Sequence, residues 1–207
     1  EDSGQLPDGD PPLIQPAEVG TDHDYSFEPT NDMTASQAIK TSAFWLISLA
    51  HGFPALAFIT LSIHVIPMIT DRGYSLAVAA LVVTTYTSVG GVFQLIGGFV
   101  GDMVPKRPAI AAFIIIQGIG VLIAAFAQSM FMLLLFAVVF GIGFGGRVPL
   151  LVAIRGDYFG RKAFATIFGL STIPMSLITL SGPVVVGYVF DVTGSYSIPL
   201  LVIVALN

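Results

Sequence analysis

The sequence contains no cysteine and very few charged residues. Without cysteine the chain can form no disulfide, no thiolate metal site and no thiol-dependent active site. Charged residues make up 10% of the 207 residues, and hydrophobic residues make up 55%. Because a soluble domain is about one-quarter charged, this composition indicates a protein that lies in lipid.

The acidic residues are concentrated at the start of the chain. Residues 1–32 hold nine of the thirteen Asp and Glu residues and five prolines, but no Lys or Arg. Such a segment cannot bury enough apolar surface to offset the entropy lost on ordering, so we expect residues 1–33 to be a flexible linker. No basic tract that could track phosphates is present, which argues against nucleic acid as a partner. Because the chain begins at Glu1 and ends in apolar residues, we expect both ends to lie within a longer protein.

Long apolar runs fill the rest of the sequence. Five are long enough to cross about 30 Å of hydrocarbon as a helix, and a sixth begins near the end of the chain. The runs are apolar on every side, whereas helices of a soluble bundle have a polar outer face. The pattern predicts an all-α integral membrane bundle with the lipid bilayer as its principal partner. A short helix start precedes the first run, with Thr34 or Ser36 as N-cap. The predicted spans are residues 43–69, 75–101, 109–127, 130–154, 163–190 and 196–207, the last one truncated.

Basic residues alternate between successive gaps. Of the gaps after the first, third and fifth runs, only the first holds a cation, Arg72. The positive-inside rule therefore predicts that residues 1–40 and the gaps after the second and fourth runs are cytoplasmic, in a multi-pass protein of the cell membrane. The basic residues on this side are Lys40, Lys106, Arg107, Arg155, Arg161 and Lys162.

The gap after the second run carries a distinctive pattern. The sequence GGFVGDMVPKRP places Gly98 four positions before Asp102, and two cations, Lys106 and Arg107, follow a proline turn. This resembles the loop signature of the major facilitator superfamily, although Met103 stands where that family has a cation. The resemblance implies a conformational latch, in which Asp102 pairs with cations or a helix N-terminus in one conformation only. The alternative is that Lys106 and Arg107 only set the topology.

A second pattern follows the fourth run. Residues 141–169 read GIGFGGRVPLLVAIRGDYFGRKAFATIFG, which resembles the tenth helix and following loop of monocarboxylate-type and oxalate:formate-type members of the superfamily. Asp157, Arg161 and Lys162 would belong to the same latch. The resemblance covers residues 34–207 and implies a six-helix half, helices seven to twelve of a twelve-helix major facilitator-type bundle. A missing N-terminal half of the same transporter would then be a further partner.

The resemblance also implies a function. It implies a secondary active transporter that moves a small organic anion, such as a monocarboxylate, by alternating access, with or without a coupled proton. In the oxalate:formate branch, cations in the eighth and eleventh helices hold the substrate, and residues 75–101 and 163–190 contain none. Two alternatives stay open: efflux of a neutral or lipophilic compound, and a non-transporting receptor or assembly subunit. Nothing in the sequence predicts an enzyme, a cofactor or a metal site.

Arg147 is the basic residue that lies well inside an apolar run. It lies about 10 Å from the cytoplasmic end of the fourth span, at 1.5 Å per residue. A cation at that depth costs at least about 2.5 kcal/mol unless it faces a cavity or a partner. We expect Arg147 to attract an anionic substrate, or to pair with an acid in the missing half. The alternative is that its long side chain reaches back to the near interface.

Uncharged polar residues in three spans are further candidates for the substrate path. His51 and His64 lie in the first span on nearly opposite faces, so at most one should line a central path. Either could carry a coupled proton or could be a packing residue. Tyr86 and Gln94 in the second span and Ser176 in the fifth lie on polar stripes, which indicate a cavity or a helix–helix seam. Gln117 in the third span is expected to be a packing residue.

Glycines recur at helical spacing. The sequence from Gly141 to Gly146 matches a dinucleotide-binding motif formally, but that motif requires a strand before it and here it lies within an apolar run. The pairs Gly97 with Gly101 and Gly141 with Gly145 predict close packing between helices instead.

Overall fold

A computed structural model describes residues 32–207, and within them the chain is a bundle of helices joined by short turns. Of the predicted acidic linker, all but the last two residues lie outside the described part. In chain order the helices of the described part are α1 Ala35–Ile39, α2 Ser42–Thr70, α3 Leu76–Met103, α4 Lys106–Phe126, α5 Met130–Phe159, α6 Phe164–Thr193 and α7 Ser197–Leu206.

Helices α2 to α6 are long and apolar enough to cross a membrane, and α7 is a shorter apolar helix. Their outer faces are apolar too. Leu95, Phe131 and Leu177 are each at least 70% exposed, which is unfavourable in water and favourable in hydrocarbon. The predicted all-α integral membrane fold is therefore confirmed.

Hydroxyl side chains begin four of the helices. The Thr34 hydroxyl accepts the backbone N–H of Gln37, and the Gln37 side chain accepts the backbone N–H of Thr34. The helix start predicted at Thr34 or Ser36 is confirmed at Thr34. Each such cap satisfies an otherwise unpaired helix N–H and stabilises the helix by about 1 kcal/mol. The caps of α2, α3 and α5 are Thr41, Ser75 and Ser129.

Glycines allow α3 and α5 to pack backbone against backbone. A Cβ added at Gly97 would lie 2.8 Å from the Cα of Gly146, and one added at Gly145 would lie 2.9 Å from the Cα of Gly90. Any larger residue would push the helices apart. The close packing predicted from the glycine pairs is confirmed, and α3 and α5 form the most extensive helix pair of the bundle.

Helix α5 continues for more than a turn beyond the predicted span. It ends at Gly160, whose φ of 76° is a conformation that glycine adopts without strain. Arg155, which we placed in a cytoplasmic loop, lies inside this helix and is only 1% exposed. That prediction was wrong because the polar residues after Ile154 resemble a turn, whereas they extend the helix with Arg155 facing inward.

Because successive helices run antiparallel, the turn between α3 and α4 and the turn between α5 and α6 lie at the same end of the bundle. We call this end, which carries Lys106, Arg107, Arg161 and Lys162, the basic end. There Lys106 Nζ lies 2.8 Å from Asp157 Oδ2, and the backbone N–H of Arg161 donates to Asp32 Oδ1 at 2.9 Å. At the opposite end Arg72 donates to the C-cap carbonyl of α4 at 2.8 Å. Burial lowers the pKa of the Arg72 guanidinium below its ordinary value.

Candidate functional site

Two arginines on α5, Arg147 and Arg155, are buried inside the bundle. Each is 1% exposed, and they are among the largest fully buried side chains of the described residues. Taking a cation out of water is costly, so a buried arginine indicates a partner or a function.

Both side chains point away from the basic end. Side chains on a helix tilt toward its N-terminus, and the N-terminus of α5 lies at the opposite end of the bundle. Accordingly, Arg155 Nη1 donates to the carbonyl of Leu151, one turn deeper, and the guanidinium carbon of Arg147 lies 5.8 Å from the ring centroid of Phe144. Neither guanidinium therefore reaches back to the near interface.

Arg147 is the end of a hydrogen-bonded chain that joins three helices. Its Nε donates to Oε1 of Gln117 on α4 at 2.5 Å. Gln117 is itself fully buried, and its Nε2 donates to the carbonyl of Pro54 on α2 at 2.8 Å. The amide thus orients the guanidinium and ties α5 to α4 and α2.

Arg155 joins α5 to α2 and α6. Its Nη2 lies 3.2 Å from Nδ1 of His51 on α2. Because a guanidinium only donates, Nδ1 is the acceptor and carries no proton in this arrangement. The ring of Phe168 on α6 covers the guanidinium, with its centroid 5.2 Å from the guanidinium carbon.

Neither buried arginine is fully paired. Arg147 Nη1 and Arg155 Nε are buried and lack a hydrogen-bond partner within residues 32–207. The five carboxylates of this part of the chain are all exposed, so none of them neutralises the buried cations. They are Asp32, Asp71, Asp102, Asp157 and Asp191. Among residues 32–207 the interior therefore carries positive charge that no carboxylate compensates, together with N–H donors that no acceptor of this part uses. Such an environment is suited to an anion.

The other predicted path residues do not join this cluster. Tyr86 is 4% exposed and packs edge-on against the Phe140 ring, 5.7 Å between centroids. His64 Nε2 donates to the carbonyl of Pro183 at 3.0 Å, which ties α2 to α6. Gln94 on α3 and Ser176 on α6 lie at exposed positions, away from the two buried arginines.

The predicted latch residues lie at the basic end, but they do not form one cluster. Lys106 pairs with Asp157; the Lys106 side chain is 25% exposed and the Asp157 side chain 54% exposed. Arg107 donates to the hydroxyl of Tyr158. Asp102 is exposed at the end of α3. The backbone N–H groups of Arg161 and Lys162 face Asp32, and a side chain at Gly98 would meet open space.

Two residues of the buried cluster escaped the sequence analysis. Gln117 was expected to be a packing residue, and Arg155 was assigned to a loop. A signal for Gln117 exists in the sequence, because it lies about as far from the basic end of α4 as Arg147 lies from the basic end of α5. Matching the depths of polar residues on different spans would have paired them.

Comparison with known proteins identifies the family. The sequence pattern that defines the Major Facilitator Superfamily matches residues 43–206. The chain belongs to the major facilitator superfamily. It is a multi-pass membrane protein of a family of transporters, and its helices α2 to α6 supply the membrane spans.

Named relatives within the superfamily include two monocarboxylate transporters. The chain is 26% identical over 193 residues to monocarboxylate transporter 2 of Meriones unguiculatus, covering 87% of this chain and 40% of that protein. It is 27% identical over 175 residues to monocarboxylate transporter 2 of Homo sapiens, covering 83% of this chain and 37% of that protein. A multidrug resistance protein B homolog of Mycobacterium tuberculosis is 27% identical over 126 residues, covering 61% of this chain and 23% of that protein. The chain thus spans about two-fifths of the length of these two monocarboxylate transporters.

Proposed function

We propose that this chain is the C-terminal half of a secondary active transporter that moves a small organic anion, monocarboxylate-like, by alternating access. The observation that carries the proposal is the buried positive charge of Arg147 and Arg155, which no carboxylate of residues 32–207 neutralises. The names of the monocarboxylate transporters among its relatives support the same substrate class.

In this proposal Arg147 supplies the attraction for the carboxylate deep in the membrane. Gln117 holds the guanidinium through Nε and leaves Nη1 free to donate to an anion. A charge-assisted hydrogen bond in a low-dielectric interior is stronger than one in water, so a single buried donor can distinguish an acid from a neutral solute.

The rest of the machinery would lie at the basic end and in the absent half. The chain's partner would be an N-terminal half of the same transporter, with residues 1–40 cytoplasmic and the protein in the plasma membrane. The ion pair between Lys106 and Asp157 is partly exposed, so its formation and rupture cost little energy. Such a contact suits a latch that opens and closes in each transport cycle.

Efflux of a neutral or lipophilic compound is the second candidate. Helices α3 and α6 are uncharged except for Asp102 and Asp191 near their ends, and one relative is a multidrug resistance protein B homolog. An uncharged wall of this kind would suit an apolar solute.

An uptake assay in proteoliposomes separates the two candidate functions. It uses the full-length transporter of which this chain would be the C-terminal half, which we call the full-length parent. We expect saturable uptake of radiolabelled lactate, pyruvate or formate. The Arg147→Gln variant should raise KM for the acid by about tenfold or more, because a hydrogen bond to a charged group is lost. Arg72→Gln is the matched control, since it removes a half-buried arginine at the opposite end of the bundle. Absence of acid uptake by the folded wild-type protein would contradict the proposal and favour efflux. An unchanged KM in Arg147→Gln would instead refute the role of Arg147 in binding and leave acid transport standing.

A further inference from the structure

The contact between Arg155 and His51 lies nearer the basic end of the bundle than Arg147 does. We propose that Arg155 and His51 form a second carboxylate site, nearer the basic end than Arg147, in which an anion and a proton bind together. This inference rests on the proposed transport of organic acids. It assigns a ligand-binding role to Arg155, which the sequence pattern had indicated only as a topology-setting cation.

The guanidinium of Arg155 has one edge suited to a carboxylate. Its Nε and Nη2 lie side by side, and such an edge binds the two oxygens of a carboxylate through two parallel hydrogen bonds. In the structure Nη2 donates to His51 Nδ1, and Nε is buried without a partner among residues 32–207. A carboxylate at this edge would satisfy Nε and replace His51 as the acceptor of Nη2.

Displacing His51 from Arg155 makes its Nδ1 available for a proton. The protonated ring could then donate from Nδ1 to a carboxylate oxygen, so the anion would lie between two cations. The only covalent change is the N–H bond that a hydrated proton from the bulk solvent forms at Nδ1, and this proton returns to the solvent when the anion leaves.

Without an anion, the Arg155 guanidinium lies 3.2 Å from Nδ1, and its charge repels a proton there. The charged groups that act on His51 are Arg155 and Arg147, both from α5 and both positive. Neither α4 nor α6 adds a buried carboxylate, because the acids of the described residues are all exposed. A proton on His51 therefore requires a bound anion, and the anion gains from the proton. By linkage each ligand raises the affinity for the other by the same factor.

The site lies on a seam between two groups of helices. On one side α2 and α6 pack closely, since a Cβ at Gly52 would lie 3.0 Å from Cδ1 of Ile178. On the other side α5 packs tightly on α3 and α4. Arg155 reaches across this seam to His51 and Phe168. A small movement of α6 away from α5 would lift the Phe168 ring from the guanidinium and give an anion access to it.

The pH dependence of KM tests the site in the full-length parent in proteoliposomes. If one proton binds with each anion, the KM for lactate falls by up to about tenfold per unit decrease in pH above the proton-binding range. His51→Gln keeps an acceptor for Arg155 but cannot titrate, so its KM should no longer depend on pH. His64→Gln is the matched control on the same helix, and it should keep the pH dependence because His64 contacts Pro183 and no arginine.

Substitution of Arg155 tests whether the site binds the anion. Arg155→Gln should raise KM about tenfold or more, the range expected for losing a hydrogen bond to a charged group. Lys40→Gln, which removes an exposed cation near the same end, should leave KM within about twofold. Should Arg155→Gln fail to fold, Arg155→Lys decides, because it keeps the charge, loses the planar edge and should still raise KM.

The results that overturn the inference differ from those that overturn the proposed function. Acid uptake with a full pH dependence in His51→Gln, or with an unchanged KM in the Arg155 variants, would refute the second site and leave acid transport standing. If the wild-type protein takes up no acid at any pH, the proposed function and the second site both fall.

Discussion

The seam between α3 and α5 offers a sharp test of the packing, through the substitution Gly97→Ala. The added Cβ would lie 2.8 Å from the Cα and 2.9 Å from the carbonyl carbon of Gly146. Carbon atoms in contact are ordinarily about 3.5–4.0 Å apart, so the helices must separate locally by roughly 1 Å. The obstacle is backbone on both sides, and no side-chain rotation can relieve it.

The cost of this separation follows from packing. Overpacking by one methyl group costs about 1–3 kcal/mol, and a gap of about 0.5–1 Å loses a quarter to a half of each dispersion contact beside it. In lipid this loss is important, because close packing replaces the hydrophobic effect as the force that holds helices together. Against it, Ala is favoured over Gly within a helix by about 0.5–1 kcal/mol. We therefore expect a net destabilisation of about 1–2 kcal/mol.

The effect is measured by heating the detergent-purified parent and monitoring the folded fraction by size-exclusion chromatography. Gly97→Ala should lower the Tm of the parent by a few degrees, because the shift is about 2–4 °C per kcal/mol for a chain of this size and smaller for a larger unfolding unit. Gly91→Ala is the matched control on the same helix, because a Cβ there meets nothing within 4 Å. Its Tm should be unchanged or slightly raised. Equal Tm values for the two variants would refute the tight α3–α5 seam.

Three further substitutions probe the polar contacts. Gln117→Leu leaves Arg147 Nε without an acceptor and should cost about 1–3 kcal/mol, measured as a fall in Tm, and an unchanged Tm would contradict the hydrogen bond. Gln117→Glu should weaken acid uptake, since it places a negative charge beside the Arg147 guanidinium, and stronger uptake would count against an anion at Arg147. Asp157→Asn removes the partly exposed partner of Lys106 and should lower stability by less than about 1 kcal/mol, whereas a loss of several kcal/mol would show a buried role for that pair.

The sequence alone was sufficient for properties that depend on local composition. The apolar runs predict the helices that can span a membrane, because the bilayer requires about 20 consecutive apolar residues irrespective of their neighbours. The N-cap at Thr34 was predictable for a similar reason, since a cap depends on residues three positions apart. The glycine pairs also predicted close packing, although not that Gly97 faces Gly146.

The contacts of the buried polar residues could not be predicted in this way. His51 and His64 look equivalent in the sequence, yet the first accepts a hydrogen bond from Arg155 and the second donates to the carbonyl of Pro183. Arg155 lies in a polar segment that reads as a turn, and only the continuation of α5 to Phe159 turns it inward.

The physical reason is that membrane insertion depends on residues close together in the sequence, whereas the contacts of buried residues depend on residues far apart in it. Whether a segment enters lipid is decided by the summed hydropathy of that segment, which the sequence contains in full. Which partner a buried arginine meets depends on where helices end, how each is rotated and which helix lies beside it. Those quantities are determined by packing among α2, α4, α5 and α6 together, and only the tertiary structure brings Arg147 to Gln117 and Arg155 to His51.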